Sequence, residues 1–513
     1  MNNKINEMKN NLINYCFFGL VACFTTNYVY GQTVKEKPNV LLIMADEHPC
    51  FLAGCYGNTK IHTPNIDNLA RVGVIFDAAY CGSPICAPSR ASMMTGRHVH
   101  VHEVWDNAAP LRSDWPTFAH SFSLAGYRTI LCGKMHFIGP DQLHGFSERW
   151  TQDIYPATFD WSNSNRDAVY VNTGQNIERV MEAGVGKTPD MDYDEEVLFR
   201  AKYGLRYLKR MKPGNPFMLC VSFTGPHYPF KAPHKYWDKY SDADISLPYL
   251  PDGFMNTESI YLQWARTMGK FENLVPDSIV KKARHAIMAR TTMIDDYVGE
   301  IVDLLKELGL YDNTIIIYTS DHGEMLGEHG LWFKNTALEP SARVPLIFSG
   351  VNIPKNKRIS EPVSLLDMGP TLCGLTGIEM IYPLTDGKDI SDLVLNKRPS
   401  GEGLAVMENY GEGAKRGYRM VRKGKYKLIY IPDGDCDLYN LENDSGEWND
   451  LANDPEYQEI LNELKDIAIK GWEDYKRYDE MRYQSEERRI SIKKLPKPNW
   501  DYLSPPVPHP YRK

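Results

Sequence analysis

The 513-residue sequence predicts an α/β fold, a large sheet of buried strands flanked by helices, followed by a smaller C-terminal α+β domain. Three observations carry this. Val40–Met44, Phe217–Phe223 and Thr314–Tyr318 are continuous apolar runs of strand length, as expected for strands covered on both faces. Ile294, Val298, Ile301, Leu305 and Leu308 recur at alternating steps of four and three, which places them on one face of a helix able to cover such a sheet. After about residue 395 the composition changes. Arg419–Ile431 alternates basic and apolar residues like an antiparallel strand pair, Leu438-Tyr439-Asn440-Leu441 follows, and Tyr457–Tyr475 reads as an amphipathic helix. The expected boundaries are 1–31 for a targeting segment, 32–395 for the large domain and 396–513 for the small one, with an extended tail from Pro496.

The N-terminus reads as an export signal. Lys4 and Lys9 precede a mostly apolar Leu12–Phe24, too short to span a bilayer, and Val29-Tyr30-Gly31 suits cleavage before Gln32. The alternative is a lipobox at Leu20-Val21-Ala22-Cys23, with Cys23 lipidated. Both place the mature chain outside the cytoplasm, periplasmic or secreted. No later segment is apolar and long enough to be a transmembrane helix. A net charge of −8 gives no support to nucleic-acid binding, yet leaves room for a locally cationic site that takes an anion. Eight cysteines follow the signal, scattered along the chain, and their pairing and the oligomeric state are not readable from it.

All three apolar runs end in polar, ionisable residues. The first delivers Asp46 and Glu47, the second Pro226-His227, the third Asp321-His322. Sites of open α/β sheets lie just past such strand ends. Between the first two runs stands Cys86-Ala87-Pro88-Ser89-Arg90, with Thr95-Gly96-Arg97 downstream. Gly133-Lys134-Met135-His136 and Leu331-Trp332-Phe333-Lys334 add two lysines and a histidine. By contrast, Gly184–Thr188 lacks the first glycine of a phosphate loop and reads as an ordinary loop.

The Cys86–Arg90 segment and its Thr-Gly-Arg resemble the signature of formylglycine-dependent sulfatases, and similarity runs from about Pro38 into the C-terminal region. The resemblance implies an alkaline-phosphatase-like fold and a maturation enzyme that oxidises Cys86 to formylglycine (3-oxoalanine). The hydrated aldehyde has two hydroxyls on one carbon. One attacks sulfur; loss of the other's proton then expels sulfate, which a plain serine or cysteine cannot achieve. Metal ligands are implied at Asp46, Glu47, Cys86, Asp321 and His322. The family commonly has Asp-Asp and Asp-Asn where this chain has Asp46-Glu47 and Asp321-His322. The imidazole makes Mn2+ a competitor to Ca2+. By the same mapping Lys134 and Lys334 bind sulfate oxygens, and His227 or Lys334 protonates the leaving alcohol. His136 holds or deprotonates the second hydroxyl, and Arg90 orients the formylglycine and supports the carboxylates.

Gly133–Phe137, Gly139–Phe146, Asp153–Pro156 and Asp321–Glu328 are further similar to choline-sulfatases, and Glu486–Tyr502 more weakly so. A quaternary ammonium would need an aromatic and carboxylate cage, for which Trp105 and Asp106 are candidates. The export signal points instead to a sulfated carbohydrate, a fragment of an algal or host polysaccharide, and this is the expected substrate class. Choline sulfate, a phosphonate monoester or phosphodiester, and a non-catalytic glycan-binding role are the alternatives.

Overall fold

The computed structural model describes residues 37–162, 174–211, 215–257, 259–496 and 500. The expected targeting segment 1–31, with the expected cleavage position and Cys23, and most of the tail lie outside them. The nine strands of the main sheet are β1 (Asn39–Asp46), β2 (Gly73–Tyr80), β3 (Arg128–Gly133), β4 (Glu148–Arg149), β5 (Phe217–Pro226), β6 (Thr314–Ser320), β7 (Arg343–Gly350), β8 (Lys357–Ile359) and β9 (Val363–Ser364). Their order is β8-β2-β7-β6-β1-β5-β3-β4, with β9 also on β2.

The three apolar runs are three adjacent strands. β1 lies between β5 and β6, parallel to both. Every residue of the three is buried, so their side chains satisfy two apolar faces at once. Parallel pairing brings the C-terminal ends together: Ala45 is level with Ser320, and Asp46 with Pro226 after a shift in register. That irregularity falls where β1 meets the charged cluster, a usual place for a bulge to re-aim a side chain.

Helices cover the sheet. The 31-residue α3 (Asp277–Glu307) buries Ile287, Ile294, Val298, Ile301 and Leu305, after α1 (Cys86–Thr95) and α2 (Pro189–Met211) earlier in the chain. Gly184–Val185, expected as loop, pairs with Lys231–Ala232 in a short parallel ladder just before α2.

A four-stranded antiparallel sheet follows: β10 (Ala405–Asn409), β11 (Tyr418–Lys423), β12 (Tyr426–Tyr430) and β13 (Cys436–Asn440). Its side chains alternate as a two-residue period requires. Met420, Ile429 and Tyr439 join the main core, while Val421, Leu428 and Leu438 pack with Leu461, Leu464 and Ala468 of α4 (Gln458–Ile469). The helix expected to reach Tyr475 stops earlier: Lys470 leaves the helical region at ψ 123°, and with Gly471 at φ 68° it forms a turn in which the Trp472 N–H donates to the Ile469 carbonyl at 2.8 Å. Trp472 then turns inward, and a separate α5 (Tyr475–Lys493) begins. Both sheets fall in one compact unit, Pro38–Lys513. The eight cysteines of this unit are all unpaired. Among the described residues no helix is long and apolar enough to cross a membrane.

Candidate active site

Cys86 is the first residue of α1, and the whole helix is buried. Its place is fixed locally: the Ala87 N–H donates to Asn107 Oδ1 at 2.9 Å, and Ser89 Oγ donates to the Asp321 carbonyl at 2.6 Å. The helix therefore starts against the ends of β1 and β6. Cys86 Sγ sits 3.2 Å from His322 Nε2 and 3.9 Å from Asp46 Oδ1. Burial, with Asp46 adding to it, pushes the thiol up to about 12, so the unmodified cysteine is an inert, neutral thiol.

Donor atoms of Asp46, Cys86, Asp321 and His322 all lie within 4.8 Å of one another. His322 Nδ1 is 3.0 Å from the Gly323 carbonyl and donates to it. That fixes the tautomer and leaves the Nε2 lone pair facing the cluster, as a metal-bound imidazole requires. Two carboxylates, one imidazole and the Cys86 position thus fit a divalent cation. Glu47, expected with them, stands aside. Its φ of 61° turns the chain, and its Oε2 meets Lys334 Nζ at 3.2 Å and His227 Nε2 at 3.2 Å. With Asp46 and His227 it forms a second, neighbouring group.

Arg90 ties the carboxylates together. Nε donates to Asp321 Oδ2 at 2.7 Å and Nη2 to Asp46 Oδ2 at 3.1 Å, while Nη1 donates to the Lys134 carbonyl and Ser222 Oγ. Lys134 Nζ pairs with Asp46 and lies 4.3 Å over the Tyr155 ring. Burial alone would raise the Asp46 carboxyl, but Lys134, His227, Arg90 and His322 hold it well below the usual range. Burial raises Glu47 well above that range even with Lys334 beside it.

His136 has a φ of 63° and gives its N–H to Asp153 Oδ2 at 2.7 Å. Its ring stands 4.7 Å from Tyr155 and 5.3 Å from Trp161, and among the described residues neither nitrogen has a hydrogen-bond partner. Burial, then Lys134, lowers its pKa well below the histidine norm. His227 Nδ1 donates to the Tyr228 carbonyl at 2.6 Å, which directs Nε2 at Glu47. The ten catalytic and metal-ligand candidates of the sequence therefore lie at the ends of β1, β3, β5 and β6, at the start of α1 and on the loop after β6.

Other residues at this place were not legible. Glu412, between two glycines after β10, hydrogen-bonds with the Asn107 side chain and accepts from Gln175 Nε2 at 3.4 Å. Burial raises its pKa to about 7, and Lys334 is the first group to oppose this. Glu324 accepts the N–H groups of Leu326 and Phe333 and so shapes the loop leading to Lys334. A lone carboxylate among glycines or in a loop carries little signal in sequence. Trp105 and Asp106, candidates for an ammonium cage, are committed elsewhere. The Trp105 ring is buried edge-on to Tyr410, and Asp106 takes both ends of the Arg489 guanidinium.

This fold and this cluster define a hydrolase of the alkaline-phosphatase-like class. The profile of the sulfatase family matches residues 38–378, and that of the C-terminal part of N-sulphoglucosamine sulphohydrolase matches 327–471. The chain belongs to the sulfatase family and is a sulfuric ester hydrolase. It is 38% identical to a choline-sulfatase of Rhizobium meliloti over 469 residues, which is 88% of this chain and 90% of that one. It is 28% identical to an ulvan-active sulfatase of Formosa agariphila over 467 residues, 87% of this chain and 83% of that one. Its fold superimposes on the phosphonate monoester hydrolase of Agrobacterium radiobacter with a TM-score of 0.68 at 21% identity, covering 88% of this chain and 96% of that one.

Proposed function

We propose that the chain, exported through its N-terminal segment, hydrolyses sulfate esters with a formylglycine made from Cys86 by a formylglycine-generating maturation enzyme. Asp46, Asp321, His322 and the Cys86 position would hold Ca2+, with Mn2+ the rival ion because of the imidazole. The observation that carries this is the placement of Cys86 at a helix start, its Sγ 3.2 Å from His322 Nε2 and level with two carboxylates that Arg90 bridges. Formylglycine supplies a two-hydroxyl nucleophile and the cation supplies Lewis-acid polarisation.

The chain's own residues do the rest. Lys134 and Lys334 place two buried cations on the same side as Asp46 and Glu47, where they would meet sulfate oxygens and the charge that grows on them. The Ala87–Asn107 hydrogen bond keeps the start of α1 in place. His136, neutral by burial and with neither ring nitrogen hydrogen-bonded among the described residues, is suited to hold or accept the proton of the hydrate. His227 and Lys334, paired through Glu47, stand as the proton source for the leaving alcohol. Lys134→Ala and His227→Ala should each lower turnover by at least about a hundredfold.

For the leaving group we favour a sulfated carbohydrate. The export signal supports it, as do the likeness to an ulvan-active sulfatase and the amides of Asn107, Gln175 and Asn335 beside Glu412, which suit a hydroxyl-rich ligand. Choline sulfate is the second reading. The 38% identity to a choline-sulfatase favours it, with Tyr155 and Trp161 as aromatic faces and Glu412 as counter-charge. Sulfate release by ion chromatography from choline sulfate and from ulvan and carrageenan oligosaccharides, side by side, separates the two. Release from choline sulfate alone would discard the carbohydrate reading.

A further inference from the structure

α5 rests Tyr475, Tyr478 and Met481, each partly buried, against the Val99, Trp105, Tyr410 and Trp472 cluster, but its fully buried positions are of another kind. Its buried residues are Arg482, Ser485, Glu486 and Arg489, spaced i, i+3, i+4, i+7, which is one helical face made entirely of polar groups. Two of its arginines, two turns apart, grip two different loops. Arg489 makes a bidentate pair with Asp106 at 2.8 and 2.7 Å, and also pairs with Glu486. Arg482 donates to the carbonyls of Tyr410, Ala414 and Lys415, the latter two at 3.3 and 3.4 Å. Lys493, at the end of the helix, donates to the Ser162 carbonyl at 2.6 Å, next to Trp161.

Each gripped segment carries a residue of the site. Asn107 follows Asp106 and receives the Ala87 N–H beside Cys86. Glu412 lies inside the Tyr410–Lys415 loop and hydrogen-bonds with Asn107. Trp161 stands 5.3 Å from the His136 ring. The edge-on contact of Trp105 with Tyr410, 4.9 Å between centroids, locks the first two segments together. A bidentate arginine fixes direction as well as distance, so a buried pair of this kind orients a loop more strictly than apolar packing does.

We infer that α5 is a clamp on the leaving-group side of the site: Arg489 through Asp106, and Arg482 through the Tyr410–Lys415 backbone, position Asn107 and Glu412 and thereby set which sulfate esters are turned over. Arg482, Arg489 and Asp106 are positioning residues and touch no substrate. The inference rests on the Cys86 reading of the site.

The test uses the full-length matured enzyme with Asp106→Asn, Arg489→Lys and the double variant. Asp106→Asn keeps the side-chain shape and can still accept the Ala108 N–H. Hydrolysis of p-nitrophenyl sulfate, whose leaving group needs little recognition, is compared with that of choline sulfate or the ulvan or carrageenan oligosaccharide that the parent cleaves. Each single variant should hold kcat/KM for p-nitrophenyl sulfate within about threefold and lower it about tenfold for the alcohol sulfate; the double variant should fall no further. Parallel loss on both substrates, no change on either, or additive losses would each overturn the clamp. Amide exchange provides a second arm. In Asp106→Asn it should rise at 105–109 and 411–415 and stay unchanged in β1 and β6; unchanged exchange in both loops overturns the inference whatever the kinetics. A parent enzyme that releases no sulfate from any of these esters contradicts the reaction assigned to Cys86 instead, and the exchange arm still judges the clamp.

Discussion

The two helices α3 and α5 dock by opposite chemistry. α3 lays Ile287, Ile294, Val298, Ile301 and Leu305 against the main core. α5 lays down Arg482, Ser485, Glu486 and Arg489. Apolar burial is non-directional and adds up by area, so α3 holds its place with many interchangeable contacts. An ionic face stabilises only if every charge is met, and it gains in return a fixed orientation. The difference matches position. α3 covers the sheet and meets the site through Arg290, which donates to the carbonyls of His227 and Pro229, whereas α5 reaches the loops of Asn107 and Glu412.

The largest expected effect breaks the ionic face outright. Arg489→Ala leaves the Asp106 carboxylate buried without its guanidinium and should cost about 3–5 kcal/mol in urea unfolding. A loss under about 1 kcal/mol would show the face to be as replaceable as surface charge. Asp153 sharpens the comparison inside the main domain. It takes the N–H groups of Met135 and His136 and pairs with Arg149 at 2.9 Å. Burial works to raise its pKa, but Arg149 and then His136 bring it from 3.8 to about 2. A folded pKa below the unfolded one gives stability that is complete above about pH 4 and lost as pH falls through about 2. Asp153→Asn should therefore cost about 2 kcal/mol at pH 7. The gap between parent and variant should close toward pH 2, and a gap that does not depend on pH would contradict the ionic explanation. The smallest effect belongs to the apolar helix. Ile301→Val should cost about 1 kcal/mol and leave sulfate release unchanged.

The same contrast explains what the sequence made legible. The three central strands and α3 were readable because apolar residues repeat at intervals that only a strand or a helix makes useful. Asp46, Asp321, His322 and His227 were readable as the polar ends of those runs, and Cys86 to Arg90 through its family signature. Glu47 was readable as a metal-ligand candidate, but its pairing with Lys334 and His227 was not. Its place beside Lys334 and His227 depends on a single positive φ that no pattern announces. α5 was not legible as an element because its fully buried residues are polar, and the aromatics that Tyr475, Tyr478 and Met481 pack against include Trp105 and Tyr410, far off in sequence. Trp105 and Asp106 looked like ligand-binding residues because their partners, Tyr410 and Arg489, lie some three hundred residues or more away in sequence and meet them only in the fold.

The most direct measurement is inorganic sulfate release by the enzyme co-expressed with a formylglycine-generating system, compared with Cys86→Ala prepared in the same way. The expected result is turnover of a sulfate ester by the parent and none by the variant, with the two proteins unfolding at the same urea concentration. Full activity in Cys86→Ala would contradict the assignment of the nucleophile and, with it, the reaction proposed for this site.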